Sequence, residues 1–305
     1  MRIIHISDLH LCQTFKKNNI SKLKRLIKHI SAMEIDHLVI TGDISDNSNE
    51  KDYLVLKKIL QAFNLYSSEK TTIIPGNHDI FGGVQMAEDI LKFPVKCKTI
   101  NYKEKIEIFV RSFNELFANT YFPNDFEYFP FAKPVEDIVL IGMNTTDKYS
   151  KLKNPFASNG KVYKDQLKGL VDILSAKSFE SYKKIVLSHH HFYKSCDEVK
   201  SSESSIWNKI EKYTMKLRGK KKLFKVFNDY NVLLVLHGHS HDMKEYKRKG
   251  ITCLNAGNSL EIDCNATFQM FQIDINGKEI IPEIIKLSGN TPCLQNIPQI
   301  EVKSA

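Results

Sequence analysis

Six short runs rich in isoleucine and valine set the terms on which this chain can fold: RIIHIS (2–7), HLVITG (37–42), TTIIPG (71–76), DIVLIG (137–142), KKIVLS (183–188) and NVLLVLHG (231–238). Their apolar character runs through consecutive positions instead of alternating, which suits strands buried on both faces. Between several of them lie helical patterns. In ISKLKRLIKHISAM (20–33), Ile20, Leu23, Leu26, Ile27 and Ile30 fall on one face. Strand, helix, strand alternation predicts a layered α/β fold. At 305 residues the chain can bury a large core, and no internal repeat or long Gly/Ser/Pro-rich linker marks a boundary, so a single domain spanning 1–305 is expected.

The residues just beyond these runs are chemically selective. The first run passes into Asp8-Leu9-His10, the second into Asp43, the third into Asn77-His78-Asp79, the fifth into His189-His190-His191 and the sixth into His239-Ser240-His241. In an open α/β sheet the carboxyl ends of the strands line the crevice where ligands bind. Clusters spread from residue 8 to residue 241 are therefore expected to converge. Residues at i and i+2 of an extended segment point to one side, so Asp8 with His10, and His239 with His241, can each present two ligands to one region. Gly42, Gly76 and Gly238, beside the clusters, allow sharp turns and close backbone approach.

Asp, Asn and His without cysteine form a borderline-hard donor set suited to Mn2+, Fe2+/Fe3+ or Zn2+. The candidates outnumber the ligands that one ion can use. Two ions about 3.5 to 4 Å apart, sharing a carboxylate, use them. A single His or Asp at a strand end is commonly a cap or turn residue, and joint occurrence is what reverses that reading.

The formal charge of +9, from 44 Lys+Arg against 35 Asp+Glu, favours an anionic substrate or partner without naming one. Apolar residues at 42% and charged residues at 26% exclude wholesale disorder. Six cysteines (Cys12, Cys97, Cys196, Cys253, Cys264, Cys293) show no C-x-x-C spacing, and MRIIHISDLH lacks a signal-peptide apolar stretch. Free thiols in a reducing cytoplasm are expected. Apolar runs such as VLLVL (232–236) fall far short of the ~20 residues of a spanning helix, so no membrane span is expected.

D-x-H at 8–10, G-D-x-x-D at 42–46, G-N-H-D at 76–79, a histidine cluster after a strand at 189 and G-H-x-H at 238–241 resemble the calcineurin-like metallophosphoesterase superfamily, in order and in strand context, from residue 1 to about 260. The forms ISDLH, VITGDISD, IPGNHD and LHGHSH are most similar to bacterial cyclic-nucleotide phosphodiesterase-like members. The resemblance implies an α/β sandwich, two central mixed sheets flanked by helices. It also implies phosphoester hydrolysis at a dinuclear metal centre. Carried over by position, Asp8, His10 and His241 hold one ion, Asn77, His189 and His239 the other, and Asp43 bridges them. The family's reaction, in-line attack of a metal-bridging hydroxide on phosphorus, comes with this assignment. So do His78 as the catalytic histidine and Asp46 and Asp79 as residues orienting ligand imidazoles.

One place departs from the family, where two histidines are commonly followed by proline: here the run is His189-His190-His191. His189 is the expected ligand because it follows the strand directly, with His190 as the alternative register. His237, at i−2 to His239, is weighed between facing the site and packing; it and His5 are expected to pack or to support the ligands. The stretch at about 81–134, rich in aromatics (Phe113, Phe117, Tyr121, Phe122, Phe126, Tyr128, Phe129, Phe131), predicts a helical, core-packing insertion, weighed against a cap whose rings stack on a nucleobase. KLRGKKKLFK (216–225) predicts a solvated basic face, weighed against a patch that holds nucleic acid or acidic lipid, and FQMFQIDINGKEIIPEIIKL (268–287) a β-hairpin on Asn276-Gly277. The expected substrate is a small phosphodiester, with cyclic nucleotides leading. The rivals are a nuclease of the same fold and a non-catalytic metal-binding scaffold. A nuclease would bring a second nucleic-acid-binding region, which the sequence does not display. A scaffold would be expected to have lost ligands or the catalytic histidine, and this chain retains both. Oligomeric state is not legible.

Overall fold

The computed structural model describes residues 1–84, 89–123, 127–193, 215–260, 268–277 and 279–287. All six apolar runs form strands: β1 (Arg2–Ile6), β2 (His37–Ile40), β3 (Thr71–Ile73), β5 (Ile138–Gly142), β7 (Lys183–Leu187) and β9 (Val232–His237). Further strands are β4 (Phe131–Val135), β6 (Gly160–Lys161), β8 (Leu217–Arg218), β10 (Met243–Arg248), β11 (Ile251–Ala256), β12 (Phe268–Asn276) and β13 (Glu279–Leu287). The helices are α1 (Lys17–Ser31), α2 (Glu50–Ala62), α3 (Asn77–Phe81), α4 (Phe93–Thr99), α5 (Tyr102–Ser112), α6 (Lys164–Ser175) and α7 (Lys220–Asp229).

Two mixed sheets carry the architecture, in the orders β13-β12-β1-β2-β3 and β10-β11-β9-β7-β5-β4. Each has a parallel core with antiparallel strands outside it. β1, β2 and β3 run parallel, with β12 and then β13 antiparallel on the β1 side. In the second sheet β11, β9, β7 and β5 run parallel, and β10 and β4 are the antiparallel edges. Of the parallel strands that carry the motifs, β1, β2, β7 and β9 are interior to their sheets and β3 is the edge of the first, and loop-to-loop bonds such as Asp8 N–H to Gly42 O and Gly238 N–H to His189 O bring their carboxyl ends together.

Side-chain parity divides the core. Ile138, Leu140, Ile185, Leu187, Leu234, Leu236 and Leu254 join the cluster that contains the β1, β2 and β3 residues and the inner faces of α1 and α2. Their neighbours in sequence, Val139, Ile141, Val186, Val235 and Cys253, join the cluster under α6 and α7 with Leu170, Ile173, Leu223, Phe224 and Phe227. The continuous apolar runs thus serve two buried faces, as the period of two requires.

The insertion is helical through α4 and α5, but its predicted end at 134 falls inside a strand. Phe131–Val135 pairs with β5 as an edge, where Pro134 is tolerated because an edge strand has a side without ladder bonds. Most of its aromatics pack: Phe109, Phe113 and Phe131 are fully buried, and Phe113 lies 5.3 Å from both Tyr53 and Phe109. Tyr121 and Tyr128 are exposed, and Phe126 lies outside the described residues. The basic run at 216–225 forms β8 and the start of α7; Leu223 and Phe224 are buried while Lys221, Lys222 and Lys225 face solvent. In the C-terminal hairpin Asn276 pairs with Glu279, and Gly277 takes the left-handed conformation at φ 59°. Cys12, Cys97 and Cys253 are free and buried, and Cys196, Cys264 and Cys293 lie outside the described residues.

A buried cation pins the outer edges of the two sheets together. Lys133 of β4 is 2% exposed and donates from Nζ to the carbonyls of Ser68 (3.3 Å), Thr71 (3.2 Å) and Leu116. Burial draws its pKa down to about 7. The three carbonyls oppose that loss, because only a protonated Nζ offers each of them an N–H. Lys133→Met, close in shape, leaves three carbonyls unpaired in the core. We expect it to lower stability in urea unfolding by about 2 to 4 kcal/mol, whereas Lys225→Met on the solvated face should change it little.

Candidate metal centre

The convergence is made by backbone of an uncommon kind. Asp8 (φ 54°), His10 (φ 44°), Asp43 (φ 51°), His239 (φ 79°) and His241 (φ 57°) all occupy the left-handed region. The D-x-H and H-x-H pairs therefore do not face one side by the alternation of an extended segment, as their spacing predicts. Left-handed turns directly after β1 and β9 aim both residues of each pair. Such residues carry roughly 1 to 3 kcal/mol of strain each and persist only where surrounding structure holds them. Here loops bond to loops: Asp8 N–H donates to Gly42 O (3.1 Å), His10 N–H to Asp43 O (2.9 Å), Leu11 N–H to Ile44 O (2.8 Å) and Gly238 N–H to His189 O (3.0 Å).

Two groups of donor atoms draw on both sheets: Asp8, His10 and His241 form one, and Asp43, His189 and His239 the other, while a third, His10, Asp46 and His78, shares His10 with the first and lies on the loops of the first sheet alone. In the first, His10 Nε2 lies 3.0 Å from His241 Nε2 and 3.9 Å from Asp8 Oδ1, and His241 Nε2 lies 3.7 Å from Asp8 Oδ1. In the second, His189 Nε2 lies 3.1 Å from Asn77 Oδ1, 3.1 Å from His239 Nδ1 and 3.3 Å from Asp43 Oδ2. Asp43 Oδ2 is also 3.9 Å from His10 Nε2, so this carboxylate stands between the groups. Every member but His241 is at least nine-tenths buried; His241 is half exposed and opens the site to solvent.

These spacings fit an ion. Donors at right angles around a metal with bonds of about 2.1 Å lie about 3.0 Å apart, and four of the pairs lie 3.0 to 3.3 Å apart. Two imidazole nitrogens that face each other at 3.0 Å repel unless a proton or cation lies between them. The set of Asp, Asn and His oxygens and nitrogens suits Mn, Fe or Zn ions.

The field between the groups is steep. Burial disfavours charge on Asp43, yet His189, His78 and His10 around it hold its carboxyl far below the ordinary carboxylate range. Burial likewise opposes protonation of His189, but the Asp43 carboxylate raises it to about 9. His78 follows the same logic: burial lowers it, Asp43 and Asp46 raise it, and it stands at about 9. An ion's charge acts against the proton at each of these groups.

His78 sits beside both of these groups and belongs to the third, with His10 and Asp46. Its backbone N–H donates to Asp43 Oδ1 (2.8 Å), and Nδ1 donates to the Asp46 carbonyl (3.1 Å) and approaches Asp46 Oδ1 at 3.4 Å. Asp46 also holds His10 Nδ1 at 3.1 Å and receives Lys16 Nζ at 3.3 Å. Asp79 differs from its expected role. Its carboxylate contacts no imidazole among the described residues and accepts instead from the N–H groups of Gly76 (2.9 Å), Ser45 (2.9 Å) and Ile44 (3.2 Å), which ties the second motif loop to the third.

The triple histidine separates into three environments. His189 faces the second group, while His190 bonds Thr145 Oγ1 through Nδ1 (2.9 Å) and the Ser158 carbonyl through Nε2 (3.2 Å). His191 stacks on Tyr193 with centroids 4.3 Å apart. His5 and His237 pack, the first on Thr41 Oγ1 (2.9 Å) and the second on the Tyr246 hydroxyl (2.7 Å). The sequence motifs do not reveal Gly83: a Cβ there would meet His78 Cε1 at 2.4 Å, so the second glycine of IFGG makes room for the imidazole.

Glycine also decides the carboxylates. A Cβ on Gly238 would lie 2.0 Å from Ser7 Oγ and 2.2 Å from Asp8 Oδ2. Gly238→Ala should therefore displace Asp8 and cost the chain one bound ion by elemental analysis. Gly250→Ala, where a Cβ meets nothing within 4 Å and the left-handed φ of 86° costs only local strain, should keep full metal content.

The family model of the calcineurin-like phosphoesterases matches residues 1–243 of this chain. A protein of Vesicomyosocius okutanii named "Probable cyclic nucleotide phosphodiesterase" is 25% identical over 283 residues, 90% of this chain and 95% of its own. One of Ruthia magnifica with the same name is 25% identical over 256 residues, 83% of each chain. A dimetal phosphatase from Danio rerio shares the fold, with a TM-score of 0.60 at 11% identity over 94% of this chain and 98% of that one. With two mixed sheets whose motif-bearing ends meet over clustered Asp, Asn and His donors, the chain belongs to the calcineurin-like phosphoesterases, a family of metal-dependent phosphoester hydrolases.

Proposed function

We propose that this chain hydrolyses a small phosphodiester, with cyclic nucleotides the leading class, at a dinuclear centre. The carrying observation is Asp43, whose Oδ2 lies 3.3 Å from His189 and 3.9 Å from His10, so that one buried carboxylate serves two donor groups. In this reading Asp8, His10 and His241 would hold one ion, Asn77, His189 and His239 would hold the other, and Asp43 would serve both. When bound, the two ions supply Lewis acidity at phosphorus and activate water as the nucleophile.

The protein's own groups do the rest. Asp46 accepts from His10 and His78 together, which fixes the ring of a ligand and the ring of the catalytic histidine against one another. With Nδ1 of His78 donating to the Asp46 carbonyl, Nε2 is the nitrogen left to face a substrate. There it is suited to give a proton to the departing oxygen. Burial of seven of the eight proposed site residues to a quarter exposure or less keeps their dipoles and charges effective at the phosphoryl group. The two relatives named as cyclic nucleotide phosphodiesterases support the diester over a monoester.

Purified protein loaded with Mn2+ should cleave 3′,5′-cyclic nucleotides and bis-p-nitrophenyl phosphate, and lose both activities with a chelator. Faster cleavage of single-stranded DNA or RNA than of any cyclic nucleotide would make it a nuclease instead. His78→Ala should keep both ions and the fold. Its rate on a nucleoside ester should fall by roughly 10²- to 10⁴-fold, the range of general acid catalysis, and far less on a p-nitrophenyl ester, whose leaving group departs without a proton. Loss of an ion in this variant would make His78 a ligand.

A further inference from the structure

Two buried nitrogens at the edge of the centre have no hydrogen-bond partner among the described residues: His191 Nδ1 and His239 Nε2. The residues are 6% and 3% exposed. Buried polar atoms are nearly always satisfied, so each calls for a partner. Their rings are neighbours, with centroids 6.0 Å apart and planes inclined by only 22°. Tyr193 lies flat on His191 at 4.3 Å, and Lys220 Nζ donates to the Tyr193 carbonyl at 2.8 Å, so the plane of His191 is fixed.

His239 offers Nδ1 to the second donor group, 3.1 Å from His189 Nε2. A neutral imidazole whose Nδ1 gives a lone pair carries its proton on Nε2, and ligand imidazoles almost always give that second N–H to an acceptor. His191 is also where this chain departs from the family's pattern. Proline, the residue commonly found there, has no side-chain polar atom.

We propose that His191 is a positioning residue for His239, the two sharing one interposed water that accepts from His239 Nε2–H and donates to His191 Nδ1. Two hydrogen bonds of about 2.9 Å each bridge rings too far apart to bond directly. The bridge holds His239 in the tautomer whose Nδ1 is bare. The inference rests on His239 being a metal ligand, as proposed above.

Calorimetric titration of demetallated protein with Mn2+ tests it in the wild type, His191→Phe, His191→Gln and His239→Ala. His191→Phe keeps a ring to stack on Tyr193 and removes both nitrogens. It should loosen one of the two ions by 10- to 100-fold, the usual penalty for losing such a partner, and leave the other unchanged. His191→Gln, with a polar amide near the same place, should recover most of the loss. The visible spectrum of Co2+-loaded protein should shift in His191→Phe and return in His191→Gln, with KM for a phosphodiester unchanged once both ions are saturating. Unchanged affinity and spectrum in His191→Phe would overturn the proposal. So would a raised KM with metal affinity intact, which would make His191 a substrate contact. Should His191→Phe fail to fold, the ¹⁵N spectrum of Zn2+-loaded wild type decides: a bare, hydrogen-bonded Nδ1 on His191 supports the bridge and a proton on His191 Nδ1 overturns it. Failure of the underlying assignment looks different. Wild type taking up fewer than two ions, or His239→Ala binding both ions as tightly as wild type, would remove the centre itself regardless of the His191 variants.

Discussion

Everything at this centre derives from burying carboxylates where two sheets meet. Asp8, Asp43, Asp46 and Asp79 are each 2% exposed or less. An ionised carboxylate in that setting is tolerable only with close cationic or N–H partners. Asp8 takes the His239 N–H, and Asp43 and Asp46 take imidazoles, with Lys16 also on Asp46. Asp79 takes three backbone N–H groups, yet burial and the nearby Asp43 charge still raise its pKa to about 7. The glycines make these approaches possible. A Cβ at Gly76 would sit 2.2 Å from Asp43 Oδ1, and one at Gly42 2.7 Å from His189 Nδ1.

The strained backbone belongs to the same constraint. To crowd donors at separations such as 3.0 and 3.9 Å, the chain must turn immediately after each strand, and five motif residues do so in the left-handed region. Asp and His are among the residues that visit it with least difficulty, so residue type and geometry agree. Hydrogen bonds between loops, and strands buried on both faces beneath them, hold positions that an isolated loop would abandon. Asp46 adds a second coupling. Because it grips His10 and His78 at once, the orientation of a proposed ligand and of the proposed proton donor are one structural variable.

The sequence displayed the parts whose physics is local. Apolar runs placed six strands to within a few residues, and their polar ends named the donors that the fold collects. What it hid depends on partners distant in sequence. β4 was obscured by the lysine and proline of FAKPV, which make sense only for an edge strand with a carbonyl cage across the seam. β10, MKEYKR, reads as solvated chain because its charges protect an exposed edge. The true job of Asp79 was hidden too, since nothing local distinguishes a carboxylate that orients an imidazole from one that caps a loop. The different surroundings of His189 and His190 were hidden as well, since His190 bonds Thr145 and Ser158, which lie outside every motif.

The division of donors between sheets carries a thermodynamic consequence. Asp8, His10, Asp43 and Asn77 follow strands of the first sheet; His189, His239 and His241 follow strands of the second. Neither donor group is complete within one sheet, since the first needs His241 and the second needs Asp43 and Asn77 from across the seam. An ion held by either group therefore binds only the state in which the sheets are packed. By linkage, its binding free energy adds to the stability of that packing. The apolar seam of Leu140, Leu187 and Leu236 against the β1 and β2 isoleucines and the proposed ions act on the same equilibrium from two ends. The seam sets the donor distances, and the ions relieve the repulsion that those distances create.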